Sequence, residues 1–214
     1  MSNRPEKTIE ALYSANDLAV SEFDHPAWTS VQPTRITKHW SGPETPDSRH
    51  AEARIVWTDE SLVVRFVCRQ VEPPIVSPTP DLTHKTIGLW ERDVCEIFLA
   101  PDTSTPNRYF EFEAAPTGEW LDLAIDLGPA ERQTDWGFQS GMTTASCIRG
   151  TELVISMRIP WSEAIHRPQR GDEWRVNLFR CIGTGDERYL AWQPTYTPEP
   201  NFHVPEAFGW LRFA

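Results

Sequence analysis

Arg108-Tyr109-Phe110-Glu111-Phe112-Glu113-Ala114-Ala115 alternates without a break. In an extended chain Phe110, Phe112 and Ala114 project to one side and Tyr109, Glu111 and Glu113 to the other, the period of two that marks a β-strand. The flanks extend the pattern. Asp93–Leu99 (DVCEIFL) is a second β-rich run, and Pro101–Asn107 between them is a turn. After the alternating stretch, Pro116-Thr117-Gly118 is a tight turn and Trp120–Ile125 returns. Three strands joined by short connections form a meander, which is an antiparallel arrangement.

Working outward, the same grammar recurs. Ala53–Trp57 and Leu62–Arg69 are β-rich runs joined by Thr58-Asp59-Glu60-Ser61, a hairpin. Phe138–Cys147 and Leu153–Ile159 form another, and Thr34–His39, Arg175–Cys181, Tyr189–Trp192 and Phe208–Phe213 supply further strands. Ser41–Arg49 is a loop, and Val71–Gly88 is a long, proline-punctuated excursion that delivers the chain to Trp90. A short helix is expected at Trp161–Ile165, with Pro160 at its start. Met1–Asn16 reads as a mobile arm or an edge segment. No internal repeat or low-complexity segment is visible. The fold class implied is all-β: an antiparallel two-sheet sandwich, jelly-roll or immunoglobulin-like, with one or two short helices, spanning residues 1–214 as a single domain. Val64, Phe66, Phe98, Phe110, Phe112, Leu178 and Phe213 are its expected core.

Composition narrows the function classes. The chain has 214 residues, 39% of them hydrophobic, which suits one large sandwich. Its 19 prolines argue against a helical bundle. A net charge of −11 repels phosphate backbones, so nucleic acid is an unsuitable partner. No basic amphipathic stretch and no long apolar run suits a membrane. Cys68, Cys95, Cys147 and Cys181 fit no C-x-x-C spacing and read as reduced core thiols. With no apolar leader at the start, the default location is the cytoplasm, or extracellular or periplasmic if a leader has been removed.

The stretch Trp90-Glu-Arg-Asp-Val-Cys-Glu-Ile-Phe-Leu-Ala-Pro-Asp102, followed by Tyr109–Gly118, resembles the family 9 carbohydrate-binding modules, part of a wider DOMON-like β-sandwich group. Ile159-Pro-Trp161, Arg175–Arg180, Ala191-Trp-Gln-Pro194, Asn201-Phe-His-Val-Pro205 and Phe208–Phe213 fit the same family, and the likeness runs from about Ala53 to the C-terminus. The resemblance implies a non-catalytic module that grips a sugar or sugar end between two Trp rings, often attached to a glycoside hydrolase, with calcium often bound. A mono- or oligosaccharide is then the implied ligand, within carbohydrate catabolism, and a glycoside hydrolase the implied partner. No cofactor is expected beyond that family calcium.

By the same resemblance Trp90 and Trp192 are the clamp, and Glu96, six positions after Trp90, is the sugar-binding carboxylate. Either indole could instead be core, as sandwiches often bury Trp. Glu96 lies between Val94 and Phe98 on its strand face. A carboxylate there needs a partner, and Arg180 is the candidate, with Asn177 nearby; a structural ion pair without ligand is the competing reading. His203 could bind a hydroxyl, ligate a metal or cap its own loop. In other members Arg or Asn near the Arg108–Ala115 strand contacts sugar, whereas Glu111 and Glu113 stand here, read as a solvated strand face. Trp57, Trp120, Trp161 and Trp174 are assigned to packing. Asp81, Asp93, Asp102 and Asp122 carry oxygens suited to calcium but no EF-hand spacing, and no metal site is assigned to them. Three other classes remain: a glycoside-processing enzyme using paired carboxylates such as Glu96 and Glu111, a DOMON-type haem domain, for which Met142 and Met157 are the only internal methionines, and a ligand-free structural domain in which the sandwich persists and the pocket does not.

Overall fold

The computed structural model describes residues 7–214. Its strands are β1 (Thr8–Tyr13), β2 (Thr34–Ile36), β3 (Lys38–His39), β4 (Ala51–Trp57), β5 (Ser61–Arg69), β6 (Val94–Ala100) and β7 (Arg108–Ala114). They continue with β8 (Trp120–Leu127), β9 (Arg132–Asp135), β10 (Thr143–Arg149), β11 (Glu152–Pro160), β12 (Glu173–Cys181), β13 (Tyr189–Ala191) and β14 (Gly209–Phe213). A back sheet runs β10-β11-β5-β4-β1 and a front sheet β1-β14-β12-β6-β7-β8-β9. The meander read from the alternating stretch is β6-β7-β8, and the hairpin read around Thr58 is β4-β5. The two packed sheets confirm the sandwich.

β1 joins the two sheets. Ile9 pairs with Leu211 of β14 in the front sheet, and Leu12 pairs with Val56 of β4 in the back sheet, both in parallel. The other paired strands are antiparallel. The expected arm or edge segment therefore contains a central strand from Thr8 to Tyr13; its first six residues lie outside the described part of the chain. A strand that switches sheets closes a corner of the sandwich and protects edges that would otherwise be open.

The helix expected at Trp161–Ile165 does not form. Pro160 is the last residue of β11, paired with Ser61. The Trp161 backbone N–H donates to Glu60 O, and its indole N–H donates to Thr58 O at 3.0 Å. These contacts to the β4–β5 turn hold the segment as a bend. Among the described residues the one α-helix is the single turn α1 (Ala27–Ser30), which sets Trp28 against Val56 and Val63 on the outside of the back sheet.

The front sheet is buried on both faces around β6 and β12. Its inner face carries Ile97, Leu99, Phe112, Val176, Leu178 and Phe213, packed against Val64 and Phe66 of the back sheet. Its outer face carries Phe98, Tyr109, Leu123 and Phe179, covered by Phe208 and Phe202 from the loop before β14. Of the expected core, Phe98 therefore belongs to this second, outer cluster, and Phe110 is only partly buried. Cys68, Cys95 and Cys181 are buried free thiols, whereas Cys147 is half-buried on the edge strand β10. Among the described residues no helix is long and apolar enough to cross a membrane.

Candidate functional site

The outer face of the front sheet carries a cleft of about 310 Å³. Its floor is Glu96 and Phe98 of β6, Glu111 of β7 and Cys181 of β12. Trp90 and Trp136 form one part of its wall, and Tyr189, Phe202 and His203 another.

Each part of the wall is positioned by local chemistry. Gly88, at φ +82°, turns the chain at the end of the long excursion into the single helical turn Leu89–Glu91. That turn buries Leu89 and leaves Trp90 37% exposed. Trp136 follows β9, where Asp135 Oδ1 accepts the Gly137 N–H at 2.9 Å and closes a tight turn. This leaves Trp136 46% exposed, its ring 6.4 Å from that of Trp90 at an angle of 40°. Phe202 stacks on Phe179 at 4.0 Å, with Tyr189 edge-on to it, so this part of the wall is anchored to the sheet. His203 bonds the Tyr109 hydroxyl through Nδ1 at 2.9 Å, and its Nε2 lies 3.9 Å from Glu111 Oε2. Burial, reinforced by Arg132, lowers its pKa to about 3. The ring is therefore neutral near pH 7.

The floor is acidic. Glu96 and Glu113 are directly paired across β6 and β7, and Glu111 follows on the same face. All three are buried, and one oxygen from each lies within 4.8 Å of the others. Burial, together with the charge of Glu111, pushes Glu96 well above the usual carboxylate range. Burial and the charges of Glu96 and Glu111 do the same to Glu113. Burial raises Glu111 to about 7. Reading Glu111 and Glu113 as a solvated face was wrong because the strand pattern shows the face but not the loop that covers it.

Of the residues expected at the site, the structure brings Trp90, Glu96 and His203 together and leaves three elsewhere. Trp192 is 5% exposed in the inter-sheet core. Its ring lies against Gly209, where an added Cβ would come within 2.5 Å of it. Trp90 and Trp192 therefore do not face each other across the cleft; the second exposed indole is Trp136. Asn177 is fully buried and clips the chain after β13: its Nδ2 donates to Gln193 O at 2.8 Å and its Oδ1 accepts the Gln193 N–H at 3.0 Å. Arg180 does not pair with Glu96. Glu96 stands opposite Phe179, so the neighbouring Arg180 points to the other face of the sheet. There it donates to Arg49 O, His50 O and Gln70 Oε1.

Sequence reasoning missed Trp136 and Glu113 as site residues. The Asp135-Trp136-Gly137 turn was a usable signal, an aromatic displayed between two turn-forming residues. Met142 and Met157 lie in the inter-sheet core, on the opposite side of the front sheet from His203. The four aspartates named as oxygen donors hold separate local contacts. Asp81 and Asp102 close turns with Thr83 and Ser104, Asp93 accepts the Gly183 N–H, and Asp122 pairs with Lys85.

Comparison with known proteins agrees with this architecture. A structure from Bacteroides uniformis, named for an inferred carbohydrate-binding role, is similar over 98% of this chain and 100% of its own, with TM-score 0.74 and 19% identity. A family 9 carbohydrate-binding module from Caldicellulosiruptor kristjanssonii, solved with glucose, is similar over 97% of this chain and 96% of its own, with TM-score 0.63 and 17% identity. With cellotriose the values are 97%, 93%, 0.64 and 17%. No curated protein matches the chain. The sequence profile described as "Carbohydrate family 9 binding domain-like" matches residues 22–214, and the chain belongs to that family.

Proposed function

We propose that the chain binds carbohydrate without chemical turnover, in the cleft on the outer face of the front sheet. The observation that carries this reading is the half-exposed pair Trp90 and Trp136 above a floor of carboxyl groups. A pyranose has an apolar C–H face and a rim of hydroxyls. Indole rings suit the first and the Glu96, Glu111 and His203 side chains the second. The related module that holds glucose and cellotriose supports the same ligand class. A mono- or oligosaccharide is the ligand this open cleft would take. A glycoside hydrolase would be the partner that such a module serves.

Calorimetric titration with glucose, cellotriose and a panel of short glycans tests this. Saturable binding at one site supports it; no binding across the panel refutes it. A second reading rests on the proximity of Glu96 and Glu111, since two carboxyl groups in one cleft can hydrolyse a glycosidic bond. Sustained release of reducing sugar from the same glycans, lost in Glu96→Gln, would favour that reading over binding alone.

A further inference from the structure

The chain treats its buried acids in two ways. Glu119 is held by Arg92 and by the Thr117 hydroxyl. Asp122 is held by Lys85 and by Ser140. Asp93 accepts from Gly183 and Gln70. Glu96, Glu111 and Glu113 are different. Both carboxyl oxygens of Glu113, which is fully buried, lack a hydrogen-bond donor from outside the cluster, as does Oε2 of Glu111; what the two carboxyl groups have is each other. Glu96 has only the Cys181 thiol at 3.5 Å. Among the described residues no arginine or lysine forms an ion pair with any of the three; the one pairing is His203 with Glu111, at 3.9 Å. Unpaired buried carboxyl groups are costly, and three gathered together more so.

The geometry points to a divalent metal ion held by Glu96, Glu111 and Glu113 at the base of the cleft; His203 Nε2, 3.9 Å from Glu111, lies outside that cluster and becomes a fourth ligand if its ring closes on the ion. Oxygens bound to one ion at 2.0–2.6 Å lie up to roughly 4–5 Å apart, and the three oxygens here are already within 4.8 Å of one another. They are fixed by strand register rather than by loops, because Glu96 opposes Glu113 and Glu111 sits two residues before it. The Tyr109 hydroxyl at Nδ1 orients the His203 ring and leaves Nε2 on the Glu111 side, the arrangement that outer partners impose on metal-ligating histidines. A carboxylate-rich set with one imidazole suits a hard to borderline ion of the Mn²⁺ type. Glu96, Glu111 and His203 line the cleft, so the ion has an entry path and a side open to ligand. Resting on the carbohydrate reading, a pair of sugar hydroxyls then completes the coordination.

The test is a Mn²⁺ titration of protein stripped with a chelator, followed by loss of the free-ion electron paramagnetic resonance signal. Zn²⁺ and Ca²⁺ are run as competitors. One Mn²⁺ per chain is expected, weakened at least about tenfold in Glu113→Gln and in His203→Ala, and unchanged in Glu131→Gln, an exposed acid outside the cluster. Should Glu113→Gln fail to fold, Glu111→Gln takes its place. No binding of any of the three ions, or binding indifferent to the cluster variants, overturns the proposal. The metal titration contains no sugar, so it stands or falls separately from carbohydrate binding. Sugar binding of equal strength in stripped and Mn²⁺-loaded protein overturns the shared-coordination step alone.

Discussion

Glu96 and Glu113 stand directly opposite each other on neighbouring antiparallel strands, both buried on the same face of the front sheet. Like charges in that relation oppose strand pairing. The relation dictates how the metal-free protein responds to pH. Burial holds the pKa of Glu96, Glu111 and Glu113 above the value near 4.5 that each has in the unfolded chain. Their protonated forms favour the fold fully below that value, and the contribution is lost as pH rises through the folded pKa, about 7 for Glu111. His203, lowered to about 3, acts with the opposite sign, but only below about 6.5 where the unfolded ring titrates. Denaturant unfolding of chelator-treated protein should therefore show stability falling between pH 6.5 and 8. Each group still protonated in the fold contributes up to about 1.4 kcal/mol per pH unit. Glu113→Gln should flatten the slope; a slope equal to that of the native sequence would contradict the assignment.

Trp192 and Trp90 should separate in a stability measurement. Trp192 lies in the inter-sheet core, so Trp192→Ala should cost about 3–5 kcal/mol. Trp90 is 37% exposed at the cleft, and Trp90→Ala should cost under about 1 kcal/mol. Urea midpoints of the two variants decide the matter, and the reverse order would place Trp192 in the site after all.

Gly209→Ala probes the same packing from the other side. Its Cβ would meet the Trp192 ring at 2.5 Å and the Lys7 carbonyl oxygen at 2.6 Å. Both the ring and the β1 end of the chain would have to move, at a cost of about 1–3 kcal/mol. An unaltered thermal midpoint would show that this corner is looser than its contacts indicate.

Thiol titration should distinguish the four cysteines. Cys68, Cys95 and Cys181 are buried and Cys147 is half-buried. A disulfide-exchange reagent should therefore modify Cys147 first in the native protein and the others only after denaturant is added. Rapid native modification of Cys68 or Cys95, whose sulfurs lie 3.4 Å apart between the sheets, would contradict the packing of the core.

Local patterns made much of the fold legible. The alternation at Arg108–Ala114 and the turn at Thr58–Ser61 each depend on residues a few positions apart. Features set by distant partners were not legible. β1 was obscured because its partners, β14 and β4, lie far along the chain. The bend at Trp161 replaced a helix because Glu60 and Thr58 capture its polar groups. Of the residues that line the cleft, Trp90, Glu96 and His203 were named from the sequence. Arg180 was misassigned because the register of β12 on β6, which sends it to the opposite face, is invisible in either strand alone. Glu111 and Glu113 were placed on the correct strand face, but their burial depends on side chains from a loop about 90 residues later.

The proposed carbohydrate site is most directly tested at the cleft wall that Trp90 and Trp136 form together. The decisive measurement is calorimetric titration of the tightest-binding short glycan into the native protein and into Trp136→Ala, with circular dichroism to confirm that the fold is retained. Loss of one stacking ring should weaken binding by roughly tenfold, in line with about 1–1.5 kcal/mol per aromatic contact. A folded Trp136→Ala protein that binds the glycan as tightly as the native chain would contradict the account.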